Sequence, residues 1–342
     1  MFDSASLASA ISECDFHNDA VTLLGYGYMG KAYLKALRAL GIQKIRVCSR
    51  SPKPLQELQN EPDVETVSGG FEQLQCRPPP EELGIVATPI SVLPGAARKL
   101  AALGFRRLLI EKPVSLWSRE IEALDRSLKA QKVAAFCGYN RMAYPAFHEV
   151  RARAAQEGGI TSCTYAFTEM IMPDWPARFP ADVLARWGIG NSLHVIGMAH
   201  ALVGLPGKWN GYCLGEQDIP WHPSGSVFVG AGISEQQIPF SYHADWGSTG
   251  RWAIELHTAE SSYRLCPLET VARRTQPLGA WDQVPLTVFC PNTKPGVLEQ
   301  VAACLHPSRF PEVLWDLAGC ARLTAFSERI FSYASRRENK QL

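Results

Sequence analysis

"AVTLLGYGYMGKAYLKAL", Ala20 to Leu37, decides how the rest of the chain is read. Its opening is a compact apolar run. Met29, Ala32, Tyr33, Ala36 and Leu37, with Leu40 beyond, then recur at the spacing of one helix face. Between the two stand Gly25, Gly27 and Gly30 in GxGxxG spacing. Alone, such a match can be no more than a turn. Placed where a strand ends and a helix begins, the glycines permit a tight turn, close approach of backbone to a pyrophosphate, and close helix packing. The stretch Gly25–Gly30, with Tyr26, Tyr28 and Met29 between its glycines, is therefore the candidate phosphate cradle, opening on a helix N-terminus that favours an anion.

Working outward, the alternation continues. "IQKIRVCS" (42–49), "DVETVS" (63–68), "LGIVAT" (83–88), "RLLIE" (107–111) and "VAAFCGY" (133–139) read as strands. "SVLPGAARKLAALG" (91–104) and Ser118–Lys129 read as helices, with Gly41 and Gly104 closing helices as C-cap glycines do. Strand–helix–strand at this spacing predicts right-handed βαβ units and a doubly wound parallel sheet, a Rossmann domain over residues 20–138. Residues 139–342 form a second α/β domain. There a helix runs to about Gln156, "ITSCTYAFTEMIM" (160–172) reads as one long strand, and 172–187 as a loop with one short helix. "GNSLHVIGMAHALVG" (190–204) reads as a helix. Four runs, 226–232, 238–246, 251–258 and 261–268, suggest an antiparallel meander, and 310–335 a long closing helix before a frayed tail, "RRENKQL".

Composition excludes several classes. The chain has 342 residues, 46% of them hydrophobic, enough for two cores. Thirty-four basic against 33 acidic residues leave a net charge of +1 without long runs of either sign, which argues against nucleic-acid and anionic-membrane partners. No stretch reaches the ~20 apolar residues of a membrane span, and residues 1–19 lack the pattern of a secretory signal. Ten scattered cysteines without a CxxC suit a reducing cytoplasm. The eight histidines show no HExxH, so no metal is indicated.

The chemistry gathers at the carboxyl ends of the strands, where doubly wound folds bind ligands. The position that carries an acid in NAD-selective folds holds Ser49, followed by Arg50. A serine and an arginine can receive a 2′-phosphate, so NADP is favoured, with NAD as the alternative. Thr88 and Pro89 follow the fourth strand. Lys112 leaves the fifth, behind Glu111 and ahead of Pro113. At that edge an ammonium can hydrogen-bond a substrate oxygen and ease oxyanion character during hydride transfer.

"GYGYMG", "ATP", "EKP" and "GYNR" followed by "YPAF" occur in the order and spacing of the glucose-fructose oxidoreductase / inositol dehydrogenase / MocA family, which Ala20 to Phe147 resembles. The resemblance implies a Rossmann domain followed by an α/β domain with a large, mostly antiparallel sheet that commonly forms a dimer interface. It implies that Lys112 stands beside the nicotinamide, that the Lys112–Pro113 peptide is cis, and that Tyr139, Asn140 and Arg141 line the junction of cofactor and substrate. Family members usually carry an Asp four residues before an acid/base His. Here His194 takes the histidine's place and Gly190 the aspartate's; Gly197 stands where a further acid is usual. Asn191 shares the helix face of His194 and can orient a sugar hydroxyl.

The expected protein is thus an NADP(H)- or NAD(H)-dependent oxidoreductase acting on a secondary alcohol of a sugar, nucleotide-sugar or cyclitol, with Lys112 and His194 catalytic. The expected assembly is a homodimer or higher homo-oligomer. The rivals are an NAD-dependent glycoside hydrolase of the same fold, a non-catalytic dinucleotide sensor, and a dehydrogenase of a non-sugar substrate. His200 reads as structural. Trp175, Trp187, Tyr242, His243 and Trp246 could stack on a sugar, although core or dimer packing suits most of them better.

Overall fold

The structure, a computed structural model, describes residues 1–333; the tail read as frayed lies outside the described residues. The chain forms two compact units: Ala8–Ala143 with Val288–Ala321, and Tyr144–Thr287 with Met1–Leu7 and the residues from Arg322.

In the first unit, β1 (Ala20–Leu24), β2 (Lys44–Ser49), β3 (Val64–Ser68), β4 (Leu83–Val86), β5 (Arg107–Glu111) and β6 (Ala134–Gly138) build one sheet in the order β6-β5-β4-β1-β2-β3, all parallel. This is the doubly wound order, and its switch point lies between β1 and β4. The central strands are apolar because both faces are covered. β4 is buried at every residue, and a Cβ on Gly84 would lie 2.7 Å from Leu100 of the helix Leu93–Leu103 packed on it. Helix Tyr28–Ala39 turns Tyr33, Ala36 and Leu37 inward as its periodicity predicts, with Leu34 added and Met29 and Ala32 only half-buried. Gly41 and Gly104 take φ of +80° and +106° beyond their helices, as read from the sequence. A short strand at Trp315–Asp316 adds antiparallel to β6.

The second unit carries β7 (Ser162–Phe167), β8 (Pro206–Leu214), β9 (Val227–Ser234), β10 (Pro239–Asp245), β11 (Trp252–His257), β12 (Ser262–Leu265), β13 (Ala272–Arg274) and β14 (Asp282–Gln283), in the order β14-β13-β12-β11-β7-β10-β9-β8. Only β7 and β10 run parallel, so the sheet is mostly antiparallel.

Several local expectations are corrected. The four runs do not form an unbroken meander, because β7 lies between β10 and β11. The link after β10 passes the end of β7, where Asp245 N–H donates to Thr168 Oγ1 and a Cβ on Gly250 would meet the same oxygen at 2.9 Å. The stretch 160–172 is not one long strand: it ends at Phe167, since Thr168 and Glu169 are spent on side-chain hydrogen bonds. The loop after it holds two short helices, Trp175–Arg178 and Ala181–Leu184. Helix Leu193–Val203 starts later than expected, behind a π-turn at Gly188–Ser192. The closing helix is shorter, Leu317–Ile330, because Trp315 and Asp316 pair with β6 and Asp316 Oδ1 then accepts from Gly319 N–H at 2.8 Å. Helices Ser4–Ser12 and Val297–Leu305 and strand β8 have no counterpart in the sequence reading.

Candidate active site

The candidate residues divide between the units. In the first, the glycine turn follows β1. Gly25 holds φ at +97°, and a Cβ there would lie 2.3 Å from Ala87 O; on Gly30 it would lie 2.1 Å from Gly25 O. Neither position admits a side chain. Around Gly27 nothing stands within 4 Å of where a Cβ would be, and Gly27 precedes helix Tyr28–Ala39 with no side-chain cap on its N-terminus. The first N–H groups therefore face open space with the positive end of the helix dipole behind them. Tyr26 is buried, with Lys31 Nζ 5.3 Å from its ring centre; Met29 is half-buried and Tyr28 exposed.

Across the switch point, Thr88 follows β4, and its buried Oγ1 has no hydrogen-bond partner. Such a group calls for a ligand. Pro89 is exposed at the same edge. Beyond β2, Ser49 is half-buried and Arg50 exposed, without an ion-pair partner among the described residues. Gly69 and Gly70, at φ of +95° and +91°, bend the chain away after β3. An open glycine turn, an orphaned hydroxyl and an available guanidinium together fit a dinucleotide.

At the end of β5, Glu111 and Lys112 part ways. Glu111 is buried and accepts from Tyr33 Oη at 2.6 Å, while Gln300 Nε2 donates to the same phenol at 2.8 Å. Burial pushes its carboxyl up to about 6, against the opposing effects of Tyr33, Lys112 and Lys294. Its side chain thus knits the unit together. Lys112 is half-buried, followed by a cis Lys112–Pro113 peptide and Val114 at φ +70°. Tyr139 and Asn140 are also taken up in packing. The Tyr139 ring lies edge-on to Trp315 at 6.0 Å with its hydroxyl beside Cys320, and Asn140 Nδ2 donates to Pro295 O at 3.0 Å. Arg141 is half-buried.

Sequence reasoning missed Lys294. Its ammonium lies 3.4 Å from Tyr28 Oη and acts electrostatically on Glu111, so the returning segment brings a second cation to the strand ends. "NTKPG" (292–296) reads only as a turn, and nothing local marks that lysine.

In the second unit, His194 lies in the first turn of helix Leu193–Val203, buried, its ring 6.1 Å from that of Trp252 on β11. Just before it, Asn191 Nδ2 donates to Glu169 Oε2 at 2.9 Å and Ser192 Oγ to Glu169 Oε1 at 2.6 Å. Glu169 is a buried carboxylate the sequence reading passed over; its one signal was an acid two residues beyond the end of β7. His200 is structural, held by Tyr165 Oη and Gly204 O, with burial bringing its imidazole down to about 4. Trp175 and Trp187 pack against each other, their rings tilted by 35° at 4.3 Å, and Tyr242 and Trp246 are buried; of the five aromatics, only His243 is exposed.

Among the described residues no group of His, Cys, Asp and Glu could hold a metal ion, and no helix is long and apolar enough to cross a membrane. The parallel sheet, its glycine turn and the orphaned hydroxyl at the switch point fit a dinucleotide-binding domain. Residues 20–139 match the Gfo/Idh/MocA family model, described as "Oxidoreductase family, NAD-binding Rossmann fold". Comparison with curated proteins gives no match. Among solved structures, the chain is similar to the UDP-N-acetylglucosamine 3-dehydrogenase GnnA of Acidithiobacillus ferrooxidans, with TM-score 0.69, 13% identity, and 92% of this chain and 96% of that one covered. A levoglucosan dehydrogenase in complex with NADH and levoglucosan gives 0.70, 17%, 93% and 97%. An Agrobacterium radiobacter oxidoreductase in complex with NAD+, L-tartaric acid and magnesium gives 0.70, 15%, 93% and 96%. At these identities the likeness is one of fold.

Proposed function

We propose that the protein transfers hydride between NADP(H) and a secondary alcohol carbon of a sugar, nucleotide-sugar or cyclitol. The observation that carries the reading is the glycine turn, where Gly25 and Gly30 exclude side chains, Gly25 packs against Ala87 and the backbone of Thr88, whose hydroxyl is orphaned, and Gly27 opens a helix N-terminus. When bound, the nicotinamide supplies the hydride chemistry. Gly25–Gly30 hold the pyrophosphate, Thr88 and Pro89 border it, and Ser49 and Arg50 receive the 2′-phosphate that favours NADP over NAD. Lys112 donates a hydrogen bond to the reacting oxygen and lowers the cost of negative charge there. His194 exchanges the proton of the substrate hydroxyl, and Asn191 keeps its amide oxygen for a substrate hydroxyl. Arg141 contributes a charge to substrate binding, while Tyr139 and Asn140 hold the strand end that presents it. The substrate class is supported by the dehydrogenases of similar fold, whose names specify a nucleotide-sugar and an anhydrosugar. Tyr212, Leu214 and Ile233, exposed on β8 and β9, support a homodimer through the second sheet, to be checked by sedimentation.

The test is a fluorescence titration with NADPH and NADH, then a screen of sugars, cyclitols and nucleotide-sugars for absorbance change at the nicotinamide band. Lys112→Ala and His194→Ala are expected to bind cofactor as the parent does and to lose about 10²–10⁴ in turnover. Full activity in both would remove the assignment of roles. Glycoside cleavage without net absorbance change would assign the glycosidase instead.

A further inference from the structure

We propose that Glu169 is the carboxylate that positions and charges the His194 site, taking from the end of β7 the place that Gly190 leaves without an acid. The inference rests on the reading of His194 as the proton-exchanging group.

Three observations carry it. Glu169 is only 3% exposed, and a carboxylate is retained at such depth only when donors compensate for its lost hydration. Its two oxygens take donors from adjacent residues, Ser192 Oγ at 2.6 Å and Asn191 Nδ2 at 2.9 Å. Those residues belong to the π-turn that runs directly into the helix bearing His194, two and three positions further on. π-turns inside helices recur at functional sites, and here the carboxylate fixes where the helix begins. The His194 ring lies 6.1 Å from that of Trp252. The imidazole thus follows directly on an anchored turn. A buried negative charge bonded to the two residues at the end of that turn favours the protonated form that accepting a substrate proton creates. Charged and titratable groups close to the same turn are Arg186, paired with Glu328, and the neutral phenol Tyr333, whose hydroxyl accepts from Gly188 N–H at 3.1 Å and pairs with His222 Nε2 at 2.6 Å. Glu169 is thus a positioning residue: it acts through Ser192, Asn191 and its charge on His194.

The experiment uses the full chain with imidazole ¹⁵N labelling and compares Glu169→Gln with Glu169→Asp. In Glu169→Gln the titration midpoint of His194 is expected to fall by about one pH unit. Turnover on whichever substrate the screen finds is expected to fall tenfold or more in kcat, with the NADPH Kd unchanged. Glu169→Asp keeps the charge and is expected to restore most of the midpoint. A His194 midpoint unmoved in Glu169→Gln overturns the proposal. If Glu169→Gln does not fold, Ser192→Ala removes one of the two donors: a displaced midpoint supports the coupling and an unchanged one refutes it. The outcome is separable from that of the function. A shifted midpoint in a protein whose His194→Ala variant keeps full turnover would leave the coupling standing and remove the proton-exchange role of His194.

Discussion

Two glycines at the start of helical stretches, Gly30 in the nucleotide unit and Gly190 in the second, meet opposite surroundings. A Cβ on Gly30 would strike the backbone oxygen of Gly25 at 2.1 Å, and neither partner can yield. On Gly190 it would touch Val183 Cγ1 at 3.4 Å, an ordinary contact. The first glycine is imposed by backbone packing against backbone, the second is not. Where geometry is made by the main chain, few residue types fit and a motif can be read. Where it is made by side chains, a function can pass to another residue, as we assign to Glu169, and the motif dissolves.

The largest expected effect lies at the glycine turn. Gly30→Ala should cost about 3 kcal/mol of turn geometry, which is about a hundredfold in NADPH Kd. Parent-like binding in a fluorescence titration would break the first half of the comparison.

The next sharpens the contrast between buried acids. Both oxygens of Glu169 have donors, whereas Glu299, in helix Val297–Leu305, is 5% exposed with Oε2 unpartnered, and burial pushes its carboxyl from the ordinary 4.5 up to about 7. The folded value lies above the unfolded one, so its contribution to stability is fully present below about pH 4.5. It is lost as pH rises through about 7, by roughly 3 kcal/mol. Glu299→Gln should therefore match the parent in urea melts at pH 4.5 and exceed it at pH 8. Equal curves at pH 8 would show that Glu299 is not a strained acid.

Arg50→Ala is expected to reduce the NADPH-over-NADH preference about tenfold, the worth of one charge-assisted contact, with little effect on melting. An unchanged ratio of the two Kd values would place the 2′-phosphate elsewhere. The smallest effect belongs to Gly190→Ala, expected to shift stability by less than about 1 kcal/mol in either direction. A severe loss there would show that Gly190 is as constrained as Gly30, and the comparison would fail.

The nucleotide unit was legible nearly strand by strand because its central strands are buried on both faces and its helices are closed by glycines with positive φ, such as Gly104. The second unit was legible only in outline. A half-buried strand such as β7 shows its alternation but not its neighbours, and its insertion between β10 and β11 depends on pairings chosen across the fold. The exposed β8 offered no apolar pattern at all. Lys294 and Gln300 reach the β5 edge on a segment far away in sequence, which no local period could announce.

By itself the sequence determined the parallel sheet, the glycine turn and the lysine at a strand's carboxyl end, since each follows from residue-to-residue spacing and the limits of backbone conformation. Only the tertiary structure decided that Glu111 faces inward to Tyr33, that Thr88 is left with an unanswered hydroxyl, and that Glu169 anchors the turn before His194. Hydrogen-bond partners and burial are set by what folds against a residue, and that information is not carried by its neighbours in the chain.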